Sequence, residues 1–159
     1  MNEFVKANYQ FGDADVRETV ESHGQLDALV DRAAAHGRPI WLELVIRGES
    51  DAPFASTVMW IGLGASFSSL VFHEPGNDGE RYDSAGTLDH PQDAEFDYGT
   101  VPTSMSSGSA IEVEPAREAA REFLATGRRP TCVSWRVFEI PINGEPEPIE
   151  GWDAFADPS

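Results

Sequence analysis

The sequence predicts an α+β fold, a mostly antiparallel sheet of about 5–7 strands with two main helices near residues 24–36 and 115–126. Three observations predict it. Apolar residues recur at helical spacing in two stretches. Elsewhere they fall in short runs bounded by Gly, Pro, Asn and Asp. The gaps between the central runs are short, and a parallel crossover needs about a dozen residues or more.

Taken in order, Val5, Ala7, Tyr9 and Phe11 alternate with Lys6, Asn8 and Gln10, the pattern of a half-buried first strand. A turn at Gly12-Asp13-Ala14-Asp15 follows, and Val16–Val20 reads equally as a second short strand or as the approach to a helix. Ser22 with Gln25 three residues on has the form of a capping box. Leu26, Leu29, Val30 and Ala33 then make one apolar stripe, and His36-Gly37 is a stop signal. Ile40–Arg47, Ser56–Leu63 and Ser68–His73 read as strands of a meander, the last ending in the turn sequence Pro75-Gly76-Asn77-Asp78-Gly79.

From Arg81 to Ser109 small, polar and acidic residues take over. The segment predicts one or two short strands, Glu80–Asp83 and Glu95–Thr100, joined by long loops, with Thr103–Ser109 as an exposed flexible loop. Pro115 suits the first position of the second helix, whose stripe is Ala116, Ala119, Ala120, Phe123 and Leu124 and whose stop is Gly127. Arg128-Arg129-Pro130 leads into a final strand, Thr131–Ile140, in which Cys132 is expected to be a buried, inert thiol. Residues 1–140 are expected to form a single domain. Residues 141–159 are a tail rich in Pro and Glu, packed on or flanking that domain through Trp152 and Phe155.

Charge bounds the function. The 159 residues carry 28 Asp and Glu against 11 Lys and Arg, a formal net charge of -17. Eight of the acids, against the lone base Arg81, lie between Glu74 and Asp97. Such a chain repels nucleic acid and acidic membrane surfaces and attracts basic protein surfaces. The first residues have neither the basic start nor the apolar stretch of a signal peptide, and no apolar run approaches the ~20 residues that span a bilayer, so a cytoplasmic protein is expected.

Catalytic signatures are missing. The four histidines His23, His36, His73 and His90 are scattered, and the acidic stretch lacks the register of a calcium loop, so neither a metal site nor a cofactor is expected. No nucleophile elbow is present, and Gly62-Leu63-Gly64 lacks the third glycine and helix start of a phosphate cradle. A carboxylate pair of the glycosidase kind is compatible with so many acids, but exposed carboxylates are usually a solvated face. Trp41, Trp60 and Trp135 lie in apolar strands and are expected to pack in the core. Tyr82 and Tyr98 sit among the acids, where aromatic side chains suit interface anchors. The candidate contact surface is therefore Glu74, Asp78, Glu80, Tyr82, Asp83, Asp93, Asp97 and Tyr98.

The order of elements and several short motifs resemble a known family. They are Trp60-Ile61-Gly62-Leu63-Gly64, Arg81-Tyr82-Asp83, Phe96-Asp97-Tyr98-Gly99, Ile111 with Glu112, and Ala119-Ala120 followed by Phe123, Gly127, Pro130 and Trp135. Over roughly residues 5–140 the chain resembles the Imm1 immunity proteins of bacterial polymorphic toxin systems. The resemblance implies an α+β protein, not an enzyme, that binds and neutralises a cognate toxin. It further implies that the toxin is a nucleic-acid (cytidine) deaminase, which would itself carry any catalytic zinc. Occupying the toxin's basic active-site cleft in a 1:1 complex is the expected mode. An acidic regulatory module unrelated to toxins, a small carboxylate-dependent hydrolase and a general DNA mimic are the other readings the residues allow.

Overall fold

A computed structural model describes residues 4–11, 14–35, 37–47, 57–74, 80–89, 95–98 and 101–138. In chain order these residues form β1 (Phe4–Phe11), β2 (Ala14–Val20), α1 (His23–Ala34), β3 (Ile40–Arg47), β4 (Thr57–Leu63), β5 (Leu70–His73), β6 (Arg81–Ser84), β7 (Glu95–Tyr98), β8 (Val101–Ser104), α2 (Val113–Thr126) and β9 (Trp135–Val137). The expected tail, residues 141–159, lies outside the described residues.

The sheet follows the order β2-β1-β3-β4-β5-β6-β9, with every neighbour antiparallel. β2 and β3 both run antiparallel to β1, so they are parallel to each other, and α1 supplies the crossover that such a pair requires. The β7–β8 hairpin stands off this path and joins it through one parallel pairing, Ile40 with Asp97. The predicted α+β class and its mostly antiparallel sheet are what the chain forms.

Strand alternation assigns the two faces. Leu42, Leu44 and Ile46 of β3 share one face with Met59, Ile61 and Leu63 of β4 and with Leu70 and Phe72 of β5. Both helices pack there, α1 through Leu26, Leu29, Val30 and Ala33, α2 through Ala116, Ala119, Ala120 and Phe123. The small alanines of α2 let the helix lie close, while Phe123 meets Phe72 edge-on with centroids 5.9 Å apart. Across the outer surfaces of the helices, Arg121 pairs with Asp27 at 3.0 Å and Arg117 with Asp31.

Helix ends differ in how closely they match expectation. The Ser22 hydroxyl accepts from the Gln25 amide at 3.1 Å, and the Gln25 side chain accepts in return from the Glu21 N–H at 2.7 Å. α2 starts at Val113, two residues before Pro115, and its N-cap Glu112 makes no side-chain cap bond. Pro115 is thus the third helical residue, where the missing N–H still falls among the four that have no partner within a helix. Gly127 ends α2 with φ +67°, and its N–H donates to the Phe123 carbonyl at 2.8 Å.

Two expectations are corrected. Thr103 and Ser104 belong to β8, and the segment after them is anchored rather than loose, with Met105 and Ser109 buried. The Ser69 and Ser109 hydroxyls meet at 2.7 Å, Ser109 donates to the Ser106 carbonyl at 2.6 Å, and Ser84 donates to the Ser109 carbonyl at 2.7 Å. The second correction concerns the last strand, which is only Trp135–Val137. Upstream, the Glu122 carboxylate takes the Thr131 and Cys132 amides at 2.6 and 3.2 Å, so these donors are committed to α2 and Cys132 is exposed.

Candidate functional site

The helices cover one face of the sheet; the other carries the site. There the alternation places Trp41 and Glu43 of β3, Val58 and Trp60 of β4, Val71 and His73 of β5, and Arg81 and Asp83 of β6. The β7–β8 hairpin folds over part of this face. Phe96, fully buried, stacks at a tilt on Trp41 with centroids 4.9 Å apart and meets Phe67 edge-on at 6.0 Å. The Trp41 indole N–H also reaches the Thr103 carbonyl of β8 at 3.4 Å. Gly62 admits Phe96 because it has no side chain on that face.

Between hairpin and sheet runs a cleft of about 340 Å³. Trp41, Trp60, Val71 and His73 form its sheet wall, and Tyr98 and Ser106 line the hairpin side. The Trp60 indole N–H donates to Glu43 Oε2 at 2.9 Å, and the Tyr98 hydroxyl donates to the same oxygen at 3.2 Å. Glu43 Oε2 thus takes one donor from the sheet and one from the hairpin, which ties the two together. Arg81, at the other end, reaches Asp83 Oδ1 at 3.3 Å and lies over the Phe138 ring at 4.2 Å from its centroid.

Those of the sequence-predicted residues that are described lie on more than one face. Glu74, Glu80 and Tyr82 gather at the β5–β6 end, where the Glu74 N–H donates to the Glu80 carbonyl at 3.1 Å. The Tyr82 hydroxyl donates to Glu80, and the Arg129 guanidinium sits 3.9 Å above the Tyr82 ring. That hydrogen bond to Glu80, followed by burial, raises the Tyr82 pKa above its ordinary value. Tyr82 is half-buried against the helix-side core, next to Phe72. Tyr98 lies on the opposite face and is 48% exposed. Asp97 pairs with Arg38 at 2.8 Å beside the start of β3. Asp83 is only 2% exposed, because its strand position points into the helix-free face beneath Arg81. Asp78 and Asp93 lie outside the described residues.

Glu43 and Trp60 were not among the predicted contact residues. The available signal was Glu43 itself, the one charge inside the apolar run Ile40-Trp41-Leu42-Glu43-Leu44-Val45-Ile46. Among the described residues no group of three His, Cys, Asp or Glu could hold a metal ion. None of the helices described is long and apolar enough to cross a membrane.

Comparison with curated proteins returned no match. The sequence model of the family described as Immunity protein Imm1 matches residues 14–137, which takes in every element from β2 to β9. The chain belongs to the Imm1 family of immunity proteins.

Proposed function

We propose that this protein neutralises a cognate bacterial toxin, a nucleic-acid (cytidine) deaminase, by filling its active-site cleft as a 1:1 cytoplasmic complex. The family implies a toxin partner. The net charge of -17 carries the rest of the reading. An enzyme that works on nucleic acid needs a basic cleft for phosphate, and an acidic protein competes for that cleft through the same cations. The inhibitor needs no catalysis and no cofactor for this role.

Glu74, Asp78, Glu80, Asp93 and Asp97 are the proposed steering carboxylates, with Tyr82 and Tyr98 as anchors. Asp83 acts from beneath the surface, holding Arg81 rather than meeting the toxin, since its side chain is 3% exposed. Carboxylates at the rim raise the association rate, and desolvated aromatics slow dissociation.

The test is co-expression with the toxin domain encoded by the neighbouring gene. A 1:1 complex that loses deaminase activity in proportion to inhibitor added is the expected result. A neighbour that is a metabolic enzyme, or a toxin that stays fully active in a stoichiometric mixture, sinks the reading.

A further inference from the structure

We infer that the cleft between β4 and the β7–β8 hairpin receives a carboxylate side chain, Glu or Asp, that the partner toxin carries on its basic surface, with Arg81 as the receptor. This inference rests on the toxin-inhibitor reading. The cleft's volume of about 340 Å³ lies at the small end of ligand pockets, ~300–1,000 Å³, room for one or two side chains. Arg81 is the charged residue of its described lining, with His73 beside it and no carboxylate. His73 and Arg81 are direct partners across β5 and β6, so both side chains leave the sheet on one face at one level.

Arg81 is held in place without being used up. Its guanidinium lies over the Phe138 ring, and its Nε and one terminal nitrogen both donate to Asp83 Oδ1, at 3.4 and 3.3 Å. A guanidinium has five N–H groups, so three remain, and these have no partner among the described residues. The side chain is 41% exposed, whereas Asp83 is buried behind it and forms no part of the cleft wall. Arg136 of β9 is the cross-strand partner of Asp83, so this corner of the face carries two arginines against one carboxylate. Glu43 sits on β3, three strands from β6, roughly 14 Å at the ~4.8 Å spacing of paired strands.

Net charge selects what brings the carboxylate in. At -17 the protein repels free anions and nucleic acid and attracts basic surfaces. A carboxylate set in a basic protein surface is carried past that barrier. Inside the cleft its stem packs on Trp41, Trp60 and Val71 while its oxygens meet the open edge of Arg81. Such charge-assisted bonds are roughly twice as strong as neutral ones. The rim carboxylates attract any basic protein, but the cleft admits one with an acid in the matching place. That separates the cognate toxin from other basic partners.

Two measurements on the full chain test this. In the first, acetyl-Lys-Glu-Lys-amide and acetyl-Lys-Gln-Lys-amide are titrated while the indole N–H resonance of Trp60 is followed by NMR. Attraction to a negative protein favours the more cationic Gln peptide, so the expected several-fold preference for the Glu peptide requires a receptor for its carboxylate. Arg81→Gln with Asp83→Asn, which leaves no buried charge unpaired, should abolish that preference. Equal binding, a preference for the Gln peptide, or a preference that survives in the double variant overturns the socket.

In the second, the neighbouring toxin domain is the ligand. The double variant should weaken that complex at least about 30-fold, mainly through faster dissociation, and Arg81→Lys should weaken it less. One Asp or Glu of the toxin, changed to its amide, should cost as much against the wild type but less than about twofold more against the double variant. If the wild type binds and no toxin acid is coupled to Arg81, the socket is wrong and the immunity reading stands. If the wild type fails to bind while the Glu peptide is still preferred, the immunity reading falls and the carboxylate site remains.

Discussion

The Phe96 ring lies so close to Gly62 that a Cβ on that glycine would stand 2.7 Å from the ring Cζ. Gly62 pairs with Trp41 across β3 and β4, so the absent side chain leaves a slot beside an indole, and Phe96 fills it. This is how a hairpin with one backbone pairing to β3 is held on the sheet. Gly62→Ala should therefore displace Phe96 and destabilise the protein by about 1–3 kcal/mol, as overpacking does. Tyr98, two residues on, should lose its bond to Glu43, so tryptophan fluorescence near Trp60 should change along with the melting temperature. An unchanged melting curve would show that the hairpin is held by something else.

The buried serines make a second prediction. Each hydroxyl has one hydrogen, and that of Ser109 goes to the Ser106 carbonyl, so the hydrogen between Ser69 and Ser109 belongs to Ser69. Ser109→Ala strands that donor in a site where both serines are fully buried. The expected cost is about 1–3 kcal/mol in urea unfolding. Ser69→Ala with Ser109→Ala should cost less than the sum of the two, because the pair is then removed together. Strict additivity would exclude the bond.

Much of the fold was legible because local and tertiary demands agree. Apolar alternation in Ile40–Arg47 and Thr57–Leu63 marks strands whose inner face meets two helices, and the Ser22–Gln25 pair marks where α1 begins. The serine run after Ser104 misled for a physical reason. Serine composition is that of a loop, yet the Ser109 hydroxyl meets buried Ser69 and the Ser109 carbonyl takes the buried Ser84 hydroxyl, partners that only the fold supplies. The site was less legible than the fold. Tyr82 and Tyr98 stand 16 residues apart in one acidic stretch, but the path between β6 and β7 puts them on opposite faces of the sheet. Charge density along the chain cannot reveal that separation. The useful mark was a single glutamate in an apolar strand.

Burial separates two kinds of acid in the Glu74–Asp97 stretch, and mutants should separate them too. Glu74 and Glu80 are exposed, whereas Asp83 is 2% exposed and bonded to Arg81. Glu74→Lys with Glu80→Lys should slow association with the toxin roughly tenfold at low salt, with dissociation changed less than about twofold. Raising the salt should shrink the difference. Asp83→Asn should instead lower the melting temperature and leave the association rate nearly as it was. If Asp83→Asn slows association as much as the surface reversal does, the buried carboxylate is reaching the partner.

Glu122 and Cys132 yield a prediction about pH and reactivity. Burial pushes the Glu122 carboxyl up, but hydrogen bonds from Thr131 and Cys132 outweigh it and hold the group below its ordinary range. A depressed folded-state pKa gives stability that is present above the unfolded value and is lost as pH falls through the folded one. Glu122→Gln should therefore flatten the acid side of the stability curve. The same carboxylate acts on the exposed thiol in the opposite sense. Desolvation of the sulfur, then the nearby Glu122 charge, raises the Cys132 pKa, so little thiolate exists at neutral pH. Alkylation of Cys132 by iodoacetamide near neutrality should run several-fold slower than that of glutathione, despite its exposure. Glu122→Gln should speed it several-fold while the solvent-side burial of the sulfur keeps it below the free-thiol rate. Equal rates in both proteins would remove Glu122 from the thiol's surroundings.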